Sequence, residues 1–140
     1  MTKTIFITVA TDGIVLETAK VLAGSGHKLL IHGRSEKKLA DTESTLLRIP
    51  GAKTITSYRA DLSHLAEVEA LAAAVIAKYP KIDVLINNAG VFKTPNPISK
   101  DGYDLRFIVN TVAPYLLTQR LLPVIPAAGR VSNLSSAAQS

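Results

Sequence analysis

Cysteine is absent from the 140 residues, which excludes disulfides and thiolate metal sites and leaves nothing that points to an oxidising compartment. Aromatic side chains make up only 5% of the chain, and they do not interleave with basic ones. The lysines and arginines are scattered, with Lys37 and Lys38 the only adjacent pair. The net charge of +5 therefore lacks the clustered stripe that nucleic acid requires. The three histidines, His27, His32 and His64, have no metal-ligand spacing, so no metal site is expected. Long apolar runs are missing too. One lysine and a short apolar strand open the chain, too little for a signal peptide and far too little to cross a bilayer. The expectation is a soluble cytoplasmic protein with neither nucleic acid nor membrane as partner.

What is present is ample core material, with 47% hydrophobic and 19% charged residues, enough for one globular domain over positions 1–140. Strand and helix patterns alternate along its length. Lys3 to Val9 is rich in β-branched residues and predicts a first strand. Gly13 to Ala23 predicts a helix, stopped by Gly24-Ser25-Gly26. His27 to His32 predicts a second strand, and Ser35 caps a second helix that runs to about Leu47. A third, more polar strand follows at Thr54 to Arg59, then an alanine-rich helix from Leu65 to Lys78. Ile82 to Asn87 is a fourth strand, Asp104 to Val124 one long helix, and Arg130 to Leu134 a fifth strand. This order implies an α/β, Rossmann-like, doubly wound parallel sheet with helices on both faces. Right-handed crossovers make 3-2-1-4-5 its natural strand order.

Open α/β sheets hold ligands beyond the carboxyl edge. The first strand-to-helix turn there is Thr8-Val9-Ala10-Thr11-Asp12-Gly13-Ile14-Val15. Glycines at such a turn let backbone approach a pyrophosphate; with Gly13 alone, a structural turn and a phosphate loop are equally good readings. Gly33-Arg34 ends the second strand, and an arginine there is placed for a bidentate phosphate contact or simply for solvent. Asp61 after the third strand is either a hydrogen-bond acceptor for an adenine or a helix cap. Asn87-Asn88-Ala89-Gly90 closes the fourth strand with two amides and bare backbone. A modest positive field suits an anionic ligand such as a dinucleotide phosphate.

Together these residues resemble the short-chain dehydrogenase/reductase family. The resemblance rests on Thr8…Gly13-Ile14, Asp61-Leu62, Asn87-Asn88-Ala89-Gly90, Asn110 within Asp101 to Asn110, and Asn133-Leu134-Ser135-Ser136, in that order. The Asp101-Gly102-Tyr103 lead-in, with Leu116-Leu117-Thr118 and Leu121-Leu122-Pro123 behind it, looks most like reductases related to retinol dehydrogenases. The resemblance implies hydride transfer between a nicotinamide cofactor and a small carbonyl or alcohol substrate. Thr8, Thr11, Gly13 and Ile14 would lie at the pyrophosphate. Arg34 would select NADP over NAD. Asp61 and Leu62 would hold the adenine, and Asn88, Ala89 and Gly90 would line the ribose and nicotinamide side. Asn110 would serve a proton relay and Ser136 would polarise the carbonyl. Pro114, four residues after Asn110, has no N–H. It is therefore expected to bend the helix and free the Asn110 carbonyl.

Three departures stand out. Val9 and Val15 occupy positions where the family pattern has glycine, and a β-branched residue resists positive φ. Weak dinucleotide binding is expected for that reason. None of Tyr58, Tyr79, Tyr103 and Tyr115 is followed four residues later by lysine, the acid/base pair that the family places after the serine. The chain is expected to be the amino-terminal part of a longer enzyme and inactive as given; a silent binding or scaffold module is the alternative. Lastly, Phe107, Ile108, Val112, Tyr115, Leu116 and Leu117 do not fit one helical stripe. A homo-oligomer through the 104–124 helix is expected, with the remainder of a longer chain as the alternative cover for that face.

Overall fold

The fold is described from a computed structural model. It describes residues 2–11, 13–89 and 107–135; the side chains at 14, 89, 110, 134 and 135 fall outside the description.

The strands are β1 (Thr4–Ile7), β2 (Lys28–Gly33), β3 (Ile55–Arg59), β4 (Val84–Ala89) and β5 (Arg130–Ser135). All pair in parallel, in the order β3-β2-β1-β4-β5. Phe6 of β1 stands between Leu30 of β2 and Leu85 of β4, and all three are fully buried. Runs such as Lys28-Leu29-Leu30-Ile31-His32-Gly33 bury nearly every position because helices cover both faces.

Helices α1 (Gly13–Gly24) and α2 (Glu36–Leu47) cover one face, closing a core of Ile5, Ile7, Val15, Ala19, Leu29, Ile31, Leu39 and Leu46. Helix α3 (Leu65–Lys78) and helix α4 (Ala113–Leu121) cover the other, over Phe6, Leu30, Val68, Leu71, Val75, Leu85 and Leu117. Ser35 caps α2 as expected, its hydroxyl accepting from the Lys38 amide at 3.3 Å.

Strand β1 ends at Ile7, two residues before the expected Val9, which takes positive φ instead, and two further expected elements differ. Strand β4 begins two residues later than the apolar run, because the amides of Ile82 and Asp83 are taken by the carbonyls of Val124 and Thr4. The long helix is not one α-helix. Among the described residues a π-helical turn (Ile108–Val112) precedes α4, and a 3-10 turn (Leu122–Val124) follows it. Pro114 and Pro123 sit in the first positions of the last two, where a missing N–H is tolerated. In the π turn the Ala113 amide reaches back to the Ile108 carbonyl, one residue further than an α-helix allows.

Candidate functional site at the carboxyl rim of the sheet

The strand order reverses between β1 and β4, and helices α1 and α4, which follow them among the described residues, lie on opposite faces of the sheet. That is where a crevice opens in doubly wound sheets. Thr8 ties the two strands together at this point. Its hydroxyl accepts from the Asn88 amide at 2.9 Å and faces the Ile86 carbonyl, while its own amide donates to that carbonyl at 3.0 Å. Thr8 is 2% exposed. Its hydroxyl therefore locks the rim internally, and only its backbone neighbours face the crevice.

Val9 is the one described non-glycine residue with positive φ, at 51°. Strain of about 1–3 kcal/mol attends such a conformation in a β-branched residue. It persists because both polar groups of its backbone are held: the amide donates to His32 Nδ1 at 3.0 Å, and the carbonyl accepts from Asn88 Nδ2 at 3.3 Å. The Val9 side chain packs against the core under α3 and α4. Val15 is buried in the opposite core. Gly13 opens α1 with φ 67°, and a Cβ added there would meet open space. Bare backbone at a helix start is thus presented outward. Gly33 is needed for another reason: a Cβ there would stand 2.8 Å from Thr11 Cγ2. Its lack of a side chain lets the β1–α1 loop lie over the end of β2.

On the β3 side, Asp61 Oδ1 accepts from both the amide and the hydroxyl of Ser63, at 2.9 and 2.7 Å. It makes a local turn rather than a helix cap; His64 is the N-cap of α3. Burial pushes the Asp61 carboxyl up. The two Ser63 hydrogen bonds, with His64 and Arg34 nearby, outweigh this and hold it below the usual carboxylate range. Glu67 Oε1 accepts from the Asp61 amide at 2.9 Å and pairs with Arg59 at 3.2 Å. Arg59 in turn donates to the Arg34 carbonyl at 3.1 Å. Leu62, expected at an adenine, turns its side chain into the core.

At the other end, buried Asn87 donates through Nδ2 to Thr118 Oγ1 at 2.9 Å and Asn133 Oδ1 at 3.1 Å. The Thr118 hydroxyl is itself committed to the Pro114 carbonyl at 2.7 Å, so it receives from Asn87. Asn87 Oδ1 is buried without a partner among the described residues.

The rim thus brings together Thr8, Thr11, Gly13, Arg34, Asp61 and Asn88. Asn110 lies in the π turn, known by its backbone. Gly90 and Ser136 lie outside the described residues, as do the side chains of Ile14 and Ala89. The sequence reading missed His32 and Asn87 as organisers of the rim. The available signal was a polar residue inside an otherwise apolar strand. Among the described residues no group of His, Asp or Glu is arranged to hold a metal, and no helix is long and apolar enough to cross a membrane.

The chain is similar to known proteins in sequence and in fold. The short chain dehydrogenase family model matches residues 3–140. Retinol dehydrogenase 13 of Homo sapiens is 33% identical over 138 residues, covering 97% of this chain and 42% of that protein. Short-chain dehydrogenase TIC 32 A, chloroplastic, of Brassica napus is 33% identical over 144 residues, covering 98% of this chain and 45% of that protein. The chain therefore spans less than half the length of these curated relatives. Among solved structures, a metagenomic short-chain oxidoreductase in complex with NADP superimposes with a TM-score of 0.82 at 32% identity, over 99% of this chain and 64% of that one. The Pseudomonas aeruginosa RhlG/NADP active-site complex gives 0.77 at 25% identity, over 94% and 53%.

Proposed function

The chain belongs to the short-chain dehydrogenase/reductase family, and from that premise we propose that its rim binds NADP for hydride transfer to or from a small carbonyl or alcohol. The reading is supported by the place of Gly13, Gly33-Arg34, Asp61 and Asn88, which lie at the carboxyl ends of the neighbouring strands β1, β2, β3 and β4, on the rim that includes the reversal of strand order between β1 and β4. The residues fit a dinucleotide chemically. Gly13 offers bare backbone in open space at a helix start, suited to a pyrophosphate. Arg34 stands at the end of β2, where a ribose 2′-phosphate would find a fork of donors; NAD, lacking that phosphate, is the weaker ligand. Asp61 is held ionised to accept from an adenine amine or ribose. When bound, the nicotinamide supplies the hydride chemistry. Asn110 and Ser136 are proposed for the proton relay and for polarising the substrate oxygen.

Val9 and Val15 are proposed to weaken binding, the first by strain at the loop and the second by bulk beneath α1. These residues include no tyrosine–lysine acid/base pair, so the chain as given is proposed to be catalytically silent. The left-handed Val9 also favours a second reading, a Rossmann-like binding or scaffold module. A cytoplasmic homo-oligomer is proposed through the outer side of the 104–124 segment, where Phe107 and Tyr115 are exposed; a monomeric mass by light scattering would count against it.

Calorimetry with NADP and NAD tests the main reading. Arg34→Leu is expected to weaken NADP by about tenfold or more, the worth of a charged hydrogen bond, and to leave NAD unchanged. Equal losses for both ligands, or no binding of either by the parent chain, would overturn it.

A further inference from the structure

We propose that His32 is a positioning residue: its neutral ring, lodged between Val9 and Ala60, clamps the β1–α1 loop to the segment that carries Asp61, and acid releases the clamp. The proposal rests on the dinucleotide reading only for its effect on ligand binding.

The ring is 2% exposed, and both nitrogens are engaged. Nδ1 lies 3.0 Å from the Val9 amide and Nε2 lies 2.9 Å from the Ala60 carbonyl. An amide can only donate and a carbonyl can only accept. The single state that satisfies both is the neutral ring with its proton on Nε2. Backbone bonds reinforce the junction: the Ala10 amide donates to the His32 carbonyl at 2.9 Å, and the Ala60 amide to the Gly33 carbonyl at 3.2 Å. One imidazole therefore joins three chain segments that are remote in sequence. It also holds the amide of the one described non-glycine residue with positive φ.

Protonation places a donor on Nδ1 opposite the donor of Val9. The attraction becomes a repulsion in a site with little water to relieve it. The strained loop then keeps only one of the two hydrogen bonds that hold Val9 left-handed, that from Asn88. Several groups around the ring set where this happens. Burial favours the neutral form most strongly; the Ala60 bond and Asp61 favour the cation, and Arg59 opposes it, with a net lowering from the usual imidazole range. Tyr58, paired with His32 in the register, is kept neutral by burial and by Tyr79. Glu67 is occupied with Arg59 and the Asp61 amide, and His64 stands against Asp61.

The test uses the full-length protein and two isosteres. In His32→Asn the amide oxygen takes the Nδ1 place and does not titrate. In His32→Gln the amide nitrogen takes the Nε2 place and the acceptor for Val9 is lost. NADP affinity is measured from about pH 8 to about pH 5, a range that spans imidazole titration. The parent protein is expected to weaken by about tenfold more than His32→Asn across that range, and at about pH 8 each variant, which keeps one arm of the clamp and loses the other, is expected to bind about tenfold more weakly than the parent, one hydrogen bond in each case. The asparagine variant also controls for titration of the ligand phosphate. Ring nitrogen NMR is expected to show the neutral Nε2–H tautomer at neutral pH. A proton on Nδ1, parental affinity in both variants at about pH 8, or parallel pH profiles for parent and His32→Asn would overturn the clamp. If the parent binds neither NADP nor NAD while the tautomer is as expected and the Val9 amide resists exchange, the clamp stands and the dinucleotide reading falls.

Discussion

The chain makes two strand-to-helix turns side by side at one rim, and they are held in opposite ways. The β2–α2 turn is capped locally: Ser35 stays extended and its hydroxyl satisfies an amide three residues on, while an exposed bond from Arg59 reaches the Arg34 carbonyl. The β1–α1 turn is held from a distance. Its Thr8 and Val9 depend on Asn88, Ile86 and His32, which lie 23 to 80 residues away, and it carries positive φ at Val9 and Gly13. A turn made for capping closes on itself. A turn made to present backbone is propped by its neighbours and stores strain, the pattern expected where binding rather than stability sets the geometry.

The largest break in this contrast should come from Thr8→Val. It keeps the shape but strands the half-buried Asn88 amide, so a loss of about 1–2 kcal/mol is expected in denaturant unfolding. A loss confined to a few tenths would mean that the rim is not cross-tied at Thr8. Next is acidity. Burial lowers the His32 pKa in the fold, so the unfolded chain binds its proton first as pH falls. Stability from this group is complete above the ordinary imidazole value of about 6.5 and is lost below it, with a slope of at most about 1.4 kcal/mol per pH unit. His32→Asn should flatten that part of the stability–pH curve; an unchanged slope would assign it to other groups.

Ser35→Ala should cost about 1 kcal/mol, the usual worth of a helix cap, and should leave ligand affinity alone. Loss of affinity there would show that the two turns are not independent. The smallest effect is a change of sign. Val9→Gly should be more stable than Val9→Ala by about 0.5–1 kcal/mol, since only glycine is at ease at positive φ. At exposed Thr45 of α2 the same pair should rank in reverse, by about 1 kcal/mol. Identical ranking at both sites would contradict the left-handed turn.

Most of the architecture was legible because it is written locally. The bounds of α3, Leu65 to Lys78, and the Ser35 cap of α2 follow from periodicity and capping chemistry, and alternation together with right-handed crossovers gives the strand order. Features that depend on distant partners were not legible. The apolar run at Ile82 does not mark the start of β4, because Val124 and Thr4 claim the first two amides. Pro114 announced an irregular helix but not a π turn, since the choice between that and a kink lies in packing. Thr8 and Leu62, expected at the ligand, spend their side chains on the rim and the core. His32 looked like a lone polar residue in a strand, and no spacing in the sequence links it to Val9 and Ala60.

The central claim is that one crevice gathers Gly13, Arg34, Asp61 and Asn88, and titrating NADP into isotope-labelled protein while following backbone amides tests it most directly. The account predicts that the amides of Gly13, Arg34, Asp61 and Asn88 shift together along one saturating curve. No shifts at saturating NADP, or shifts confined to surfaces away from the carboxyl rim, would contradict it.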